Sequence, residues 1–312
     1  MLNNMNNLSN LTIVIVTYKT DREILQNCLD SIGKDIKIII VENSNEIKDE
    51  DKNLLNQYKN LTINYTGKNL GYGGGNNYGF NLTSTDFVLV SNPDIVFDEG
   101  YFKNLDKYLG DDLDFSIIGS SYKKDKVFMP YGYFEENKKI STTEKYSNIL
   151  KSKYSHLKKV DWVTGCSMLL NLKKFENKNI LDENFFLYFE EFDLCKQLEL
   201  NKKNVFSSGD LLVHHLGFKG SFGADPQLKR EAEKLREWHW MWSSFYFYKK
   251  NYGYFFAIRK TIGKLIRSFF KFFFYTVTFN KKLNNKYQSR FFGLLNGMMC
   301  KPSWYRVGSK FQ

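Results

Sequence analysis

Residues Leu11 to Thr17 read LTIVIVT, an apolar and β-branched run typical of a strand buried on both faces. A polar break follows, and then a helical pattern from about Asp21 to Ile32. Further strand patterns are Ile36 to Val41 (IKIIIV), Leu61 to Tyr65 and Phe87 to Val90 (FVLV). Strands that alternate with helices predict an α/β domain with a parallel, doubly wound sheet.

Polar residues follow the carboxyl ends of three of these strands. They are Thr17-Tyr18 after the first, Glu42-Asn43 after the second, and Asn92-Pro93-Asp94 after the fourth. In doubly wound sheets, ligands bind beyond the carboxyl ends of the strands. The sequence therefore predicts that these three segments converge on one crevice.

A glycine-rich segment, NLGYGGGNNYG from Asn69 to Gly79, separates the third and fourth strands. Glycines allow close approach of the backbone to a ligand, and a helix start with free N–H groups suits an anion. A dinucleotide-binding dehydrogenase is disfavoured, because its glycines directly follow the first strand, where this chain has none. A flexible Gly/Asn turn explains the glycines but not the paired Asn76 and Asn77.

Asp94 is the best candidate metal ligand, since a carboxylate at a strand end beside an anion-binding segment suits Mg²⁺ or Mn²⁺ on a diphosphate. The alternative is an ordinary turn residue. His214 and His215 follow a strand-like segment and can add a nitrogen ligand, which favours manganese. Of two adjacent strand histidines, however, one usually faces solvent.

Three carboxylates, Glu190, Glu191 and Asp193, lie within the aromatic run FFLYFEEFDLC at residues 185–195. Loss of hydration beside aromatic rings raises the pKa of a carboxyl group, which makes it a better proton acceptor near neutral pH. An amphipathic helix with acids in its first turn explains the pattern equally well. From these residues alone, a general base and a helix start both remain open.

Composition and cysteine usage limit the class of protein. A chain of 312 residues with 42% hydrophobic residues can form one large α/β domain or two smaller ones. The four cysteines include no CxxC pair, so neither a disulfide framework nor a zinc site is indicated. That usage fits a reducing cytosol.

The net charge of +11 comes from the C-terminal region. Residues 249–312 contain 14 Lys and Arg and no acid, interleaved with the aromatic run 269–275. The contiguous phenylalanines favour an anionic membrane surface over nucleic acid. Helices packed on the main domain or on a second subunit remain an alternative. Lys271 interrupts the best apolar stretch, so no span of about 20 apolar residues predicts a transmembrane helix.

Seven segments together resemble a bacterial family 2 glycosyltransferase over about residues 11–250: VTY, VENS, NLGYGGGNN, NPD, VTGCSMLL, FFLYFEEFDLC and VHHLGFKGS. Within that family, the chain is similar to the rhamnosyltransferase-like branch that builds O-antigen, capsule and other surface glycans. The resemblance implies a GT-A fold, a Rossmann-like, mostly parallel sheet flanked by helices. We expect a donor-binding half at 1–110, an acceptor and catalytic half of the same domain at 111–248, and a basic, aromatic helical extension at 249–312.

The resemblance also implies a nucleotide-sugar donor, a divalent metal and inversion at the anomeric carbon. Asp94 would bind Mn²⁺ or Mg²⁺, joined by His215 or, preferably, His214. Glu191 falls at the position of the general base, while Glu190 and Asp193 would orient acceptor or base. Residues expected at the nucleotide and donor pocket are Thr17, Tyr18, Glu42, Asn43, Asn69, Gly71, Gly74, Asn76, Asn77 and Asn92.

Partners follow from the same resemblance. A dTDP-sugar, dTDP-rhamnose first, is the favoured donor, with UDP- and GDP-sugars as alternatives. The acceptor would be a hydroxyl of a glycan or lipid-linked oligosaccharide, with the enzyme peripheral on the cytoplasmic face of the bacterial inner membrane. Nucleic acid is not expected, and a homo-oligomer is left open. A glycan-binding or nucleotide-binding protein without catalysis, or a nucleic-acid-binding protein, would be the other classes.

Some residues depart from the family pattern. Glu42 and Glu191 stand where Asp is usual, so each carboxylate sits one methylene further out. Lys19 and the pair Trp242-Ser243 also differ from common family residues. Within the polar stretch 111–160, the tyrosines expected to stack on acceptor sugars are Tyr122, Tyr131 and Tyr133.

Overall fold

The computed structural model describes residues 6–33, 35–45, 49–110, 113–123, 127–134, 154–217 and 226–309. The strands are β1 Leu11–Thr17, β2 Lys37–Glu42, β3 Leu61–Tyr65, β4 Phe87–Ser91, β5 Ile95–Phe97, β6 Ile117–Lys123, β7 Val127–Phe128, β8 Tyr131–Gly132, β9 Leu157–Val160, β10 Trp162–Val163, β11 Ser167–Asn171 and β12 Val205–His215. The helices are α1 Arg22–Ile32, α2 Asp49–Gln57, α3 Gly71–Leu82, α4 Tyr101–Gly110, α5 Glu190–Leu200, α6 Pro226–Tyr252, α7 Tyr254–Val277 and α8 Lys281–Met298. Residues 135–153 of the predicted acceptor stretch and 218–221 of the last motif lie outside the described residues.

One large sheet organises the molecule, with strand order β3-β2-β1-β4-β11-β6-β12-β5. The first four strands are parallel, β11 runs antiparallel between β4 and β6, and β12 is parallel to β6. The prediction of a mostly parallel α/β sheet is confirmed. The antiparallel β11 and β5 were not predicted.

The continuous apolar run of β1 is explained by burial on both faces. Leu11, Ile13 and Ile15 pack into one hydrophobic core, whereas Val14 packs into a second core on the other side of the sheet. Side chains alternate between the two faces of a strand, so a central strand with both faces covered needs apolar residues throughout.

Helix α1 follows β1 as the sequence predicts. The Asp21 carboxylate accepts a hydrogen bond from the Glu23 N–H at 3.0 Å, which caps the helix. Leu25, Cys28, Leu29 and Ile32 form its buried face. Direct β-to-α connections of this kind leave the carboxyl end of β1 open at the sheet edge, which is where the site is found.

The glycine-rich segment forms most of helix α3, not an extended loop. A Cβ added at Gly75 would lie 2.8 Å from Val16 Cγ1, and one at Gly79 would lie 2.4 Å from Val14 Cγ1. Real Cβ atoms do not approach this closely, so these glycines let α3 lie directly on β1. The interpretation that these glycines approach a ligand is therefore corrected at positions 75 and 79, which serve helix packing.

The C-terminal region is helical, as predicted. Helix α6 has 27 residues and crosses the boundary placed at residue 249, and α7 and α8 pack against it and each other. On α7 the buried residues are small, namely Ala257, Thr261 and Ser268. Among the helices of the described ranges, none combines the length and apolarity needed to cross a membrane.

Candidate active site

The ends of β1 and β2 meet the start of α3. Thr17 Oγ1 donates to Glu42 Oε2 at 2.7 Å, and the Asn43 N–H donates to the Thr17 carbonyl at 2.8 Å. Asn43 Nδ2 in turn donates to the Gly71 carbonyl at 2.8 Å. The structure thus brings together three of the segments that the sequence predicted at the donor crevice.

Gly71 joins this edge to the loop that precedes α5. Its φ of +78° is in the left-handed region, and a Cβ there would lie 2.3 Å from the Phe186 carbonyl oxygen. Asn69 Oδ1 accepts the Gly71 N–H at 2.9 Å, and the Phe186 carbonyl accepts the Tyr72 N–H at 2.9 Å. Gly71 is therefore required by contact with the protein itself.

The paired asparagines have different surroundings from those predicted. The Asn77 amide donates to the Leu181 carbonyl at 2.8 Å and to Glu183 Oε1 at 3.0 Å, and its Oδ1 accepts the Leu181 N–H at 3.0 Å. These bonds use its amide to hold the segment after β11, so we reassign Asn77 from donor binding to support of that segment. A Cβ added at Gly74 would lie 3.1 Å from Leu70 Cβ and 3.9 Å from Glu183 Cδ, so Gly74 also faces other residues of the protein.

Asp94 is buried at 2% exposure in the turn between β4 and β5, and His215 Nε2 lies 3.5 Å from its Oδ1. His214 Nε2 instead lies 3.2 Å from Asp98 Oδ1. Neighbouring residues of a strand point to opposite faces, so only one of the two histidines can meet Asp94. The geometry therefore favours His215, and not the preferred His214, as the partner of Asp94 at a metal ion. Nearby, the Asn92 N–H donates to the Cys166 carbonyl at 2.9 Å.

The donor set at Asp94 and His215 fits a manganese-type ion. Mg²⁺ is commonly held by one or two carboxylates together with phosphate oxygens of a substrate, Mn²⁺ takes the same oxygen ligands, and Mn²⁺ tolerates an added nitrogen ligand better than Mg²⁺ does. Within the described ranges, no cluster of three or more His, Cys, Asp and Glu side chains forms a complete metal site. An ion at Asp94 and His215 would take its other ligands from the substrate.

The turn before α5 is strained. Tyr188 and Phe189 have φ values of 69° and 73°, which bulky residues rarely adopt and which cost about 1–3 kcal/mol each. Ring contacts hold this turn, since Tyr188 and Phe189 each lie 5.3 Å from the Trp240 ring. Ser243 Oγ also donates to the Leu187 carbonyl at 2.9 Å. This turn fixes where Glu190 and Glu191 begin the helix.

Glu191 has the environment of a proton acceptor. Burial raises the pKa of Glu191, while backbone N–H groups of Gly165 and Phe192 partly offset the rise. Glu190 is almost fully buried, and one of its carboxylate oxygens has no hydrogen-bond partner among the described residues. Burial, followed by the neighbouring Glu191 charge, raises the pKa of Glu190 well above its usual range. The pKa of Glu190 is therefore raised further than that of Glu191.

A short chain of side chains connects the two halves of the site. The Tyr122 hydroxyl lies 2.9 Å from Thr164 Oγ1 and 2.8 Å from Cys166 Sγ, and its ring centroid is 5.6 Å from that of His215. The Tyr72 hydroxyl donates to the Gly165 carbonyl at 2.5 Å. Residues 164–166 therefore link Asp94 and His215 on one side with Glu191 on the other.

Tyr122, expected on an acceptor sugar, instead has its hydroxyl engaged inside this chain. The VTGC motif was part of the family resemblance, but no role was predicted from the sequence for Thr164 or Cys166. Tyr131 and Tyr133 lie with ring centroids 6.1 Å apart on the segment that pairs with β10, whose Trp162 ring is 4.7 Å from Phe192. Their contact with an acceptor stays a prediction.

Asp193 lies away from this chain. Its carboxylate accepts hydrogen bonds from Lys250 Nζ at 2.6 Å and from Asn251 Nδ2 at 2.9 Å. Burial raises the pKa of Asp193 even though Lys250 opposes the shift. Two positions along a helix turn a side chain by about 200°, so Asp193 and Glu191 face different neighbours. These contacts favour a role for Asp193 in joining α5 to the end of α6 over its predicted role in orienting the acceptor or the base.

These features define an α/β domain with polar side chains gathered at the carboxyl ends of its strands, and sequence comparison names its family. Residues 12–176, more than half of the chain, match the family described as Glycosyl transferase family 2, and the protein belongs to that family. A relative, the low-salt glycan biosynthesis hexosyltransferase Agl10 of Haloferax volcanii, is 27% identical over 210 residues. The aligned region covers 64% of each protein, so the chain spans about 64% of that relative's length.

Two solved structures share the fold. GalNAc-T7, solved with UDP, GalNAc and Mn²⁺, superposes with a TM-score of 0.54 at 11% identity, covering 76% of this chain and 50% of its own. The mannosyltransferase PcManGT of Pyrobaculum calidifontis, solved with GDP-Man and Mn²⁺, gives 0.51 at 9% identity over 94% and 88% of the two chains. The predicted GT-A fold is confirmed.

Proposed function

We propose that the protein is an inverting, metal-dependent glycosyltransferase that moves a sugar from a nucleotide sugar to an acceptor hydroxyl. The observation that carries this proposal is the connection, through residues 164–166 and Tyr122, between the carboxylate of Glu191 and the pair Asp94 and His215. The names of the Haloferax volcanii relative and of the two solved structures refer to hexosyl, GalNAc and mannosyl transfer, which supports the class.

The residues divide the chemistry between them. Thr17, Glu42 and Asn43 would hold the nucleotide at the carboxyl ends of β1 and β2, and Asp94 with His215 would hold a metal ion, whose charge would offset that of the diphosphate. Glu191 takes the proton of the acceptor hydroxyl while that oxygen bonds to the anomeric carbon and the bond from that carbon to the diphosphate oxygen breaks. This single displacement inverts the linkage. A diphosphate leaving group needs no general acid, so one base is enough.

The finer substrate assignment rests on motif resemblance. Within the proposal, dTDP-rhamnose is the first donor to test, followed by UDP- and GDP-sugars, and the acceptor is a lipid-linked glycan of a bacterial surface polysaccharide. The relatives support a hexose donor in general terms.

We also propose that α7 lies on an anionic lipid surface. This helix buries small residues and exposes large apolar ones, namely Phe255, Ile262, Ile266, Phe269, Phe270, Phe273, Phe274 and Val277. Arg and Lys residues interleave with them along the same helix. An apolar face with flanking cations fits the interface of an anionic bilayer, where rings enter and cations meet headgroups. Such a surface would bring a lipid-linked acceptor to the enzyme.

The experiment that tests the transferase proposal is Glu191→Gln. The amide keeps the size of the side chain but cannot accept the acceptor proton, so turnover is expected to fall about 10²–10⁴-fold with donor affinity retained. Release of nucleoside diphosphate in the presence of acceptor measures turnover, and calorimetry measures donor binding.

Glu176→Gln, at an exposed position, is the matched control and is expected to behave as wild type. Unchanged turnover in Glu191→Gln would remove Glu191 as the base. Loss of donor binding together with turnover would assign it a binding role instead.

A further inference from the structure

Arg306 lies in the segment after α8 and stacks on the loop that precedes α5. Its guanidinium carbon is 3.6 Å from the centroid of the Phe186 ring. Its Nη1 donates to the Ser303 carbonyl and to the Tyr305 carbonyl, each at 2.9 Å. Those two bonds use both Nη1 hydrogens and fix the plane of the guanidinium, which leaves Nε and Nη2 as the remaining donors.

The charge of Arg306 has no acidic partner in the part of the chain that the structure describes. None of the ion pairs among the described residues involves Arg306, although its side chain is only partly exposed. Burial lowers the pKa of Arg306 to about 10. A partly buried cation that is stacked and oriented but not neutralised is costly unless an anion completes its surroundings.

The position of Arg306 indicates which anion could complete its surroundings. The Phe186 ring on which it stacks adjoins Gly71, and the Phe186 carbonyl accepts the Tyr72 N–H at the start of α3. Tyr305 shares an apolar cluster with Phe186, and Tyr18, directly after β1, packs against that cluster. The guanidinium therefore lies beside the segments that face the donor crevice at the ends of β1 and β2.

We propose that Arg306 binds the diphosphate of the nucleotide-sugar donor through Nε and Nη2. A planar guanidinium presents two parallel N–H donors that match two phosphate oxygens, and its charge complements the anion. The assignment rests on the proposed function, because it requires a nucleoside diphosphate in the crevice. It places a donor-binding residue in the C-terminal region, outside the segment 12–176 that matches the family.

The test compares Arg306→Gln, Arg306→Lys and wild type in calorimetric titrations with UDP, GDP and dTDP and with their monophosphates. A hydrogen bond to a charged group is worth about 1.5–3 kcal/mol, so Arg306→Gln is expected to weaken diphosphate binding about 10- to 150-fold. Monophosphate binding is expected to change less. Arg306→Lys keeps the charge and the contact with Phe186 but lacks the planar fork, so it is expected to recover only part of the affinity.

Arg230→Gln, an exposed arginine on α6, is the matched control and is expected to bind as wild type. Melting without ligand checks that each variant is folded. If Arg306→Gln does not fold, Arg306→Lys decides the question. Wild-type diphosphate affinity in the folded Arg306 variants would overturn the assignment while leaving the proposed function intact. A wild type that binds none of these nucleotides would instead overturn the proposed function, and this assignment with it.

Discussion

Gly79 on α3 shows how a single position can be fixed by packing against helix propensity. Alanine favours a helix by about 1 kcal/mol relative to glycine. Here, however, an added Cβ would lie 2.4 Å from Val14 Cγ1 and 3.1 Å from Val41 Cγ2, so α3 and the sheet would have to separate. We expect Gly79→Ala to lower the free energy of unfolding by about 1–3 kcal/mol, measured by urea denaturation.

Gly263 on α7 is the matched control for this prediction. An added Cβ there meets no atom within 4 Å, so Gly263→Ala is expected to stabilise the protein by about 0.5–1 kcal/mol. The opposite signs of the two changes in the free energy of unfolding distinguish the effect of packing from the effect of helix propensity. If both changes stabilised the protein, the close approach of α3 to β1 would be contradicted.

The roles of some single residues could not be predicted from the sequence, because they depend on contacts with distant segments. Glycines that contact a ligand and glycines that contact a sheet give the same sequence pattern, because only the element opposite distinguishes them. Asn77 was assigned to the donor for the same reason, while its partners at Leu181 and Glu183 lie about a hundred residues away. The choice between His214 and His215 depended on strand register with β5, which the sequence does not carry.

At the scale of elements, local patterns were sufficient for the first half of the sheet. Strands β1 and β3 have the predicted bounds, and α1 begins one residue after the predicted Asp21 and ends at the predicted Ile32. Strands β5 and β11 are short and pair antiparallel with distant segments, so the hydrophobic periodicity of the local sequence does not predict them. The carboxylates of α5 were found from sequence, but their division of roles needed the strained turn and the contact of Asp193 with α6.

Helix α7 is the element whose exposed face yields a prediction. Phe270 and Phe273 are each 64% exposed, and replacing both with Ser should remove apolar contact with lipid while leaving the buried small residues in place. We expect the wild type to sediment with vesicles containing phosphatidylglycerol, less so at high salt, and the double variant to lose most of this binding.

Phe128→Ser serves as the matched control, since Phe128 is 62% exposed but lies on β7. It is expected to bind vesicles as wild type does. Equal binding of the double variant, or equal wild-type binding to neutral phosphatidylcholine vesicles, would contradict the proposed docking face. Concentration-dependent self-association that the double variant loses would identify the face as a subunit contact.

At the scale of the whole molecule, charge and site are divided between two parts of the chain. The first 248 residues carry 31 Lys and Arg against 34 Asp and Glu, whereas residues 249–312 carry 14 Lys and Arg and no acid. The fold joins these parts, because α6 runs across that boundary and the segment after α8 returns to Phe186. The basic region thereby supplies both the proposed lipid surface and the proposed diphosphate contact.

The most direct test of the central claim is a thermal-shift panel of dTDP-, UDP- and GDP-sugars, each with and without Mn²⁺. A ligand at about 100 times its dissociation constant stabilises a fold by about 2.7 kcal/mol, so we expect one nucleotide class to raise the melting temperature by about 5 °C or more with Mn²⁺. The Asp94→Asn variant is expected to lose the part of this rise in melting temperature that depends on Mn²⁺. If no nucleotide sugar raises the melting temperature of the wild type, either with or without Mn²⁺, the crevice is not a donor site and the glycosyltransferase account is contradicted.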